Sequence, residues 1–311
     1  MGFDFSAVVA PFRMQPALRR LAPDARQLTP NLPGGRALRE KLAVLSSFPR
    51  EALLMEPGFD ATPALLALAT RGAAEHPDAF SRAGAASFTA RHLGWSVRDG
   101  RLEGDGPAEI GVCLDALAPQ WRLAGLLSLA FAEDFALIDG ADGRIPWLAV
   151  CLPSNWAPED KVGRHFTQVH APVADNESLL AAAEHLVRLI TGGERWERFV
   201  WTVNDDAHLH RHPRRAPPVC WDPDCAPEAL AATAYLRTER QTFLPIPETR
   251  QALFTIHVEV KPLVAAIASR AEAERLHAAL SSMSPAVLAY RGLDAARDRL
   301  LAWLETFAAS A

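Results

Sequence analysis

The stretch 235-YLRTERQTFLPIPETRQALFTIHVEV-260 decides the fold that this sequence predicts. Two parts of it, 235–243 and 253–260, are rich in β-branched and aromatic residues, which favour strands. In the second part apolar and polar side chains strictly alternate, as they do on a strand with one buried face. We therefore predict two strands, each with one polar face.

The sequence on either side supplies further elements of a mixed fold. Two apolar runs within 121–153, FALI and IPWLAVCL, are joined by the turn-forming DGADG and predict a β-hairpin. Apolar residues at helical spacing predict helices over 62–76 and 176–193, and the tail from Leu263 is also helical. The fold class predicted is α+β, with an antiparallel sheet and helices at the ends.

Charge and hydropathy exclude several classes of partner. The formal net charge is -5, which gives no electrostatic basis for binding nucleic acid or anionic lipid. The longest apolar run, 123-LAGLLSLAFA-132, is well short of the roughly 20 residues that cross a bilayer. We therefore expect a buried helix or strand there, and no membrane association.

Two histidines lie in 153-PSNWAPEDKVGRHFTQVHAPV-173. Pro158 in an acidic first turn and Pro172 beyond the end predict one short helix that carries both His165 and His170. Five positions place the two side chains about 140° apart around a helix axis, which disfavours a shared metal ion. A single histidine beside an apolar stripe is either a core residue or the axial ligand of a flat cofactor such as haem, and both interpretations stay open.

Other histidines and the cysteines give weaker metal signals. His208, His210 and His212 alternate within 205-DDAHLHRHPRR-215, but the surrounding proline, arginines and acids favour a solvated loop. In 220-CWDPDC-225 four residues lie between the cysteines rather than two, so we expect a plain loop instead of a zinc site. Only 4 cysteines in 311 residues predict reduced thiols and a cytoplasmic protein.

Several segments, taken in order, resemble one protein family. They are 11-PFRMQPALR-19, the AEDFALI and IPWLAVCLPSNWAPEDKVGRHFTQVHAPV blocks and, above all, 236-LRTERQTFLPIPETRQALFTI-256. Together they resemble the haem-dependent oxidative N-demethylases, a family that includes the catalytic subunit of dimethylamine monooxygenase. The resemblance covers most of the chain.

This resemblance implies a modified PAS fold, in which a curved antiparallel sheet with flanking helices holds haem b. The expected organisation is an N-terminal arm with helices over 1–80, a PAS-like haem-binding core over 81–262 and C-terminal helices over 263–311. These three parts are expected to form one compact unit.

The resemblance also implies an activity: oxidative removal of a methyl group from a small secondary amine, giving a primary amine and formaldehyde with O2 as oxidant. Electrons would come from NADPH through FMN and a 2Fe-2S cluster on separate reductase subunits. The chain itself has neither clustered cysteines for an iron–sulfur centre nor a nucleotide fingerprint.

His170 falls on the family's His-x-Pro-Val element and is the first choice for the proximal iron ligand, so it is the predicted metal-binding residue. His165 and His257 are the backups. A thiolate from Cys113 or Cys151 stays open on chemical grounds, because thiolate ligation favours oxygen cleavage.

On the strand 235–243, alternation places two sets of side chains on opposite faces: Arg237, Glu239 and Gln241 on one, and Thr238, Arg240 and Thr242 on the other. A haem propionate requires a guanidinium and an ammonium substrate requires a carboxylate. We therefore predict Arg237 and Glu239 as catalytic residues, and Arg237 and Arg240 as cofactor-binding residues. A salt-bridge ladder on a solvated sheet face is the open alternative.

One departure from the family's pattern affects the substrate. Where the family tends to carry Arg-x-Asn-Trp, this sequence reads 198-RFVW-201, with Val200 at the Asn position. The departure leaves open a different substrate, or haem binding without demethylation. Two alternatives therefore stand beside the enzyme: a PAS-type sensor of haem or a small ligand, and a cofactor-free scaffold subunit.

Overall fold

The computed structural model describes residues 3–84 and 87–310. The α-helices in this part of the chain are α1 (Arg36–Ser47), α2 (Pro49–Ala52), α3 (Thr62–Glu75), α4 (Ala108–Ala116), α5 (Pro119–Ala130), α6 (Phe166–His170), α7 (Glu177–Ala181), α8 (Ala183–Ile190), α9 (Pro227–Thr233), α10 (Leu263–Ala266), α11 (Arg270–Ser281), α12 (Pro285–Arg291) and α13 (Arg297–Ser310). Short 3₁₀ helices lie at Phe5–Ala7, Arg91–Leu93, Pro158–Asp160 and Pro247–Thr249.

The strands form two antiparallel sheets. They are β1 (Arg19–Arg20), β2 (Leu53–Met55), β3 (Phe80–Ser81), β4 (Ser87–Ala90), β5 (Trp95–Arg98), β6 (Arg101–Gly104), β7 (Asp134–Asp139), β8 (Trp147–Ala149), β9 (Trp196–Asn204), β10 (Tyr235–Ile246) and β11 (Gln251–Pro262). The larger sheet has the order β1-β9-β10-β11-β7-β8-β2, and the smaller one β3-β4-β5-β6. This confirms the α+β class, while PAS-like curvature stays a prediction.

The hairpin β10–β11 is the centre of the larger sheet. Its register runs from Tyr235 opposite Pro262 to Ile246 opposite Gln251, so both predicted strands are confirmed and extend beyond their predicted ends. The turn between them closes with Arg250 in the left-handed region, at φ 55°. β10 and β11 are therefore interior strands of the sheet: β9 pairs with β10, and β7 pairs with β11.

The predicted hairpin within 121–153 is also confirmed. β7 pairs with β8, with Ala136 opposite Leu148. The apolar run before it belongs to α5, whose residues from Leu123 to Ala130 are all buried. The helix predicted over 62–76 is α3, which carries proline in its first turn.

The prediction of one helix carrying both histidines is wrong. Pro158–Asp160 is a separate 3₁₀ turn, and Gly163 at φ 72° leaves the helical conformation. α6 begins only at Phe166, with His165 as its N-cap: the His165 ring nitrogen accepts a hydrogen bond from the Thr167 backbone N–H. The helix does end at His170, before the residue that precedes proline.

Two other local predictions need correction. The helix predicted over 176–193 is divided at Ala182 into α7 and α8. The segment 205–215 is a loop, as predicted, but it is not solvated throughout, because Arg211 and His212 are each only 1% exposed. Its histidine-rich part is therefore partly inside the protein.

Three apolar clusters make up the core. One lies where α1, α3, α4 and α5 meet the two sheets, and a second lies among the C-terminal helices and β9. The third joins β7, β8 and β10 to α6, α7 and α8. Burial of apolar area at about 25 cal/mol per Å² is the main stabilising contribution to these clusters.

A buried ion pair fixes α1 to the sheet. The Lys41 Nζ lies 2.9 Å from the Asp134 carboxylate, and both side chains are at most 1% exposed. Because an isolated charge at such depth would be costly, each side chain depends on the other. The pair holds the start of β7 in place.

The larger sheet draws strands from two of the three expected parts of the chain. β1 and β2 come from residues 1–80 and pair with β9 and β8 respectively. The boundaries at 80 and 262 stay a prediction. None of the helices in residues 3–84 and 87–310 is long and apolar enough to cross a bilayer.

Candidate functional site

A cavity of about 320 Å³ lies against one face of the larger sheet, within the volume range of ligand sites. The helices α6, α7 and α8 contribute Phe166, Val169, His170, Leu179, Leu186 and Ile190 to its wall. The sheet contributes apolar residues from β7, β8 and β11, and polar residues from β9 and β10. The cavity therefore has an apolar end and a polar end.

The polar end is built on the paired strands β9 and β10. Arg237, Glu239 and Gln241 all line it, whereas their neighbours Thr238 and Arg240 do not. The predicted alternation is thus confirmed, and the cavity faces the first of the two sets. Across the register, these three residues lie opposite Thr202, Val200 and Arg198 in turn, and that second row also lines the cavity.

Arg237 is fully occupied by protein acceptors. Its Nε donates to Ser154 Oγ at 2.8 Å, and its two terminal nitrogens donate to the carbonyls of His208 at 3.0 Å and Leu209 at 2.9 Å. Burial lowers the pKa of Arg237 to about 10, so the guanidinium stays charged at neutral pH. Arg237 therefore holds the histidine-rich loop against the sheet and has little capacity left for a propionate.

Glu239 is oriented by two donors. Ser154 Oγ donates to one carboxylate oxygen in a short hydrogen bond, and Gln241 Nε2 donates to the other at 2.6 Å. The side chain is 9% exposed and lines the cavity. Because Ser154 also accepts from Arg237, a single hydrogen-bonded row fixes the carboxylate that a cationic ligand would contact.

Arg240 lies on the opposite face of β10 and does not line the cavity. Its Nε donates to Glu197 at 2.9 Å and one terminal nitrogen donates to the Arg26 carbonyl at 2.9 Å. The structure thus brings Arg237 and Glu239 together with His170 around one cavity and leaves Arg240 outside it.

His170 lies at the end of α6 and lines the cavity. Its Nδ1 is 2.8 Å from the Phe166 carbonyl one helical turn back, so Nδ1 carries the proton and Nε2 keeps its lone pair. Burial, with a smaller contribution from the nearby Arg198 charge, lowers the pKa of His170 to about 4. At neutral pH the ring is therefore a neutral imidazole, oriented as metal-ligating histidines are.

The other candidate iron ligands lie outside the cavity wall. His165 caps α6, and His257 on β11 is 3.5 Å from the buried Glu133. Cys113 and Cys151 are buried away from the cavity, and burial raises the pKa of both thiols, which opposes thiolate formation. Among the sequence candidates, His170 alone combines a free ring nitrogen with a place in the cavity.

The sequence did not point to Arg198 and Arg291 as functional residues. Arg198 lies on β9, where burial lowers the pKa of its guanidinium and the charge of Glu239 partly opposes that effect. Its Nε is buried without a hydrogen-bond partner among the described residues. Arg291, at the end of α12, also has an unpartnered Nε. The sequence signal for Arg198 is 198-RFVW-201, in which this arginine begins the element that departs from the family's pattern at Val200.

The lining carries an excess of positive charge. Among the described residues that form it, Lys161, Arg198, Arg237 and Arg291 are cationic, and Glu239 is the one carboxylate. With His170 neutral, four cations face one anion, which favours a ligand with negative groups. An apolar wall, a neutral histidine and surplus cations together fit haem, with its flat macrocycle, its iron and its two propionates.

The loop with alternating histidines has a supporting role in this geometry. His210 Nδ1 is 2.6 Å from the Cys151 carbonyl, and His212 Nε2 is 3.1 Å from Glu159. No group of three or more His, Cys, Asp or Glu side chains in the described part of the chain could hold a metal ion. The loop's contribution to the cavity is the pair of carbonyls that anchor Arg237.

A comparison with protein-family models gives one match that covers most of the chain. The model is described as haem-dependent oxidative N-demethylase, alpha subunit-like, and it matches residues 38–301. The matched region includes β9, β10, α6 and α12, and so most of the cavity wall.

Proposed function

This chain belongs to the haem-dependent oxidative N-demethylase, alpha subunit-like family, and from that premise we propose that it is a haem enzyme acting on small secondary methylamines. The proposed reaction converts the N-methyl amine, O2, two electrons and two protons into a primary amine, formaldehyde and water. The proposal includes a PAS-like curved sheet and a cytoplasmic location, which rest on the resemblance and on the cysteine usage.

The geometry of His170 carries the proposal. A neutral imidazole whose Nδ1 donates to the Phe166 carbonyl leaves Nε2 as the ligand atom, and the ring lies in the wall of an apolar cavity. A backbone acceptor for the second ring nitrogen is the usual support of a metal-bound histidine. A core histidine without a ligand would instead pair both nitrogens.

Cationic side chains would hold the propionates. Lys161 and Arg291 line the cavity with donors to spare: Lys161 has its one hydrogen bond to the Val169 carbonyl, and Arg291 Nε is free. These two residues replace Arg240, which lies on the other face of the sheet, as our candidates. When bound, haem supplies activation of O2 at its iron.

Glu239 would bind the amine. Both of its oxygens are oriented by Ser154 and Gln241, so they present a fixed acceptor to a substrate ammonium. Glu239 can then take the ammonium proton on a carboxylate oxygen, leaving the amine neutral for oxidation. The apolar wall around it excludes water and strengthens that interaction.

Electrons would enter from a separate reductase that carries NADPH, FMN and a 2Fe-2S centre. The alpha-subunit-like description of the family supports the presence of partner subunits. This proposal has no place for nucleic acid or membrane as a partner.

Formaldehyde release tests the proposed activity. The haem-loaded protein, supplied with a surrogate electron donor, is assayed with dimethylamine and N-methylglycine, and formaldehyde is compared with O2 consumed. We expect Glu239→Gln to lower kcat/KM by about 100-fold, since it removes the proton acceptor. Glu259→Gln, on the neighbouring strand outside the cavity wall, is the matched control and should keep full activity.

The opposite outcome would favour the sensor alternative. If the wild-type protein binds haem as a six-coordinate complex and releases no formaldehyde from either amine, the protein is a haem-binding module without turnover. If the protein takes up no haem, the remaining interpretation is a cofactor-free scaffold subunit.

A further inference from the structure

Arg198 is a charged group with no partner in the cavity. Its Nε is buried without a hydrogen bond, and Arg198 takes part in none of the ion pairs between described residues. Burial lowers the pKa of its guanidinium, and the charge of Glu239 favours the protonated form. A buried cationic nitrogen without a hydrogen-bond partner is costly, and the side chain lines the cavity, which together indicate a site built for an anion.

The strand register places Arg198 beside Glu239. Val200 lies directly opposite Glu239 and Arg198 directly opposite Gln241, so Arg198 is the diagonal neighbour of Glu239 on the same face. Diagonal neighbours have Cβ atoms roughly 7–8 Å apart. At that separation the two side chains could reach each other, yet they form no ion pair.

The hydrogen bonds of Glu239 explain why the opposite charges stay apart. Ser154 and Gln241 hold both carboxylate oxygens, so the carboxylate is not free to turn toward Arg198. Val200, the residue between them, is apolar and leaves the gap without a bridging group. A ligand that carries a cation and an anion a short distance apart would pair with both Glu239 and Arg198.

The charge balance supports the same ligand class. Four cations and one carboxylate line the cavity, and two haem propionates would still leave a small positive excess. A simple methylammonium adds to that excess, whereas a zwitterion does not. A planar guanidinium is also the preferred bidentate partner of a carboxylate.

We propose that Arg198 is a carboxylate receptor and that, together with Glu239, it selects N-methylated amino acids over simple methylamines. This inference rests on the proposed function, since it names the substrate class of the same cavity. The amino acid's methylammonium group binds at Glu239, and its carboxylate accepts two hydrogen bonds from Arg198.

Calorimetric titration with matched probes tests the inference. N-methylglycine, its methyl ester and dimethylammonium are titrated into haem-loaded protein, in a buffer acidic enough to keep the amine of the ester protonated. Under that condition the ester carries the ammonium and lacks the negative charge. We expect N-methylglycine to bind at least tenfold more tightly than the ester. Arg198→Met should abolish that preference, whereas Arg188→Met, at an exposed arginine of α8, should leave it intact.

A haem propionate is the other possible source of the carboxylate. Haem and haem dimethyl ester are therefore titrated into wild type and Arg198→Met. If the substitution lowers the affinity for haem and leaves the preference for N-methylglycine over its ester unchanged, Arg198 binds a haem propionate. The substrate assignment is then overturned. Equal binding of N-methylglycine and its ester by wild type overturns it as well.

These outcomes are separable from failure of the proposed function. If no haem is taken up, the proposed enzyme fails, and the amino-acid titrations are repeated on unloaded protein by the fluorescence of Trp156 and Trp201, which line the cavity. An Arg198-dependent preference for N-methylglycine there still supports the receptor, and its absence overturns it.

Discussion

The two faces of the paired strands β9 and β10 differ in how completely their polar side chains are hydrogen-bonded. On the face away from the cavity, Arg240 donates to Glu197, and Thr242 is within 2.6 Å of Thr255 and accepts from Gln27 at 3.0 Å. On the cavity face, Arg198 Nε and the Thr202 hydroxyl of the neighbouring strand β9 are buried without a hydrogen-bond partner in the part of the chain that the structure describes.

The difference separates a structural polar cluster from a ligand site. Burying a polar group without a hydrogen bond costs free energy, so natural proteins pair nearly all such groups. Unpaired groups that gather around one cavity therefore indicate a missing partner. Arg237 and Glu239 also face the cavity, but they are hydrogen-bonded to Ser154, so their side chains are held in fixed positions.

The largest stability effect should come from Arg237→Met. This change removes the donor to the carbonyls of His208 and Leu209 and to the Ser154 hydroxyl, at a cost of about 3 kcal/mol in the free energy of unfolding. Urea unfolding followed by circular dichroism measures it. A loss below about 1 kcal/mol would show that the histidine-rich loop does not depend on this residue.

The pH dependence of stability should report His170. Its folded-state pKa of about 4 lies below the ordinary value of 6.5, so the unfolded chain takes up the proton first as the pH falls. Stability is therefore lost between about pH 6.5 and pH 4, and by about 2 kcal/mol for this partly exposed ring.

Haem-free wild type and His170→Gln are compared by urea unfolding at pH 7 and pH 4, with His185→Gln on the exposed face of α8 as the control. Wild type and the control should lose about 2 kcal/mol more than His170→Gln over this range. An equal loss in all three proteins would place the titrating group elsewhere.

Arg240→Met should have a smaller effect than Arg237→Met. Arg240 is half-buried, and its partners Glu197 and the Arg26 carbonyl have other donors or solvent nearby. We expect a loss of about 1 kcal/mol in unfolding free energy and unchanged haem affinity. A large fall in haem affinity would mean that this face of the strand also contacts the cofactor.

The smallest effect on the unloaded protein should come from Arg198→Met. No hydrogen bond or ion pair is lost, and the attraction to Glu239 that disappears is offset by removal of a buried, unpartnered Nε, so the unfolding free energy should change by less than about 0.5 kcal/mol. Urea unfolding without ligand provides the measurement. A loss as large as that of Arg240→Met would reveal a structural partner and remove the contrast between the faces.

The sequence predicted the local part of this architecture. Alternation on 235–243 separated the two faces of β10, because a period of two is set within one strand, but it did not decide which face meets the cavity. The proline signals identified the first turn of α3 and the end of α6.

Features that depend on distant residues were not predictable in the same way. Gly163 allowed the chain to leave the helix, so His165 became a cap, and spacing rules for one helix no longer applied. Arg198 became a neighbour of Glu239 only through pairing between β9 and β10, which lie about 40 residues apart. The burial of Arg211 likewise depends on contacts with Asn155 and Asp206.

A haem titration followed by absorption tests the central claim, that this cavity holds haem through His170. Wild type and His185→Ala should develop a Soret band with equal affinity. His170→Ala should lose or shift that band, because among the described residues His170 is the one histidine that lines the cavity, and its Nε2 is free. An unchanged band and affinity in His170→Ala, or no band in wild type, would contradict the claim.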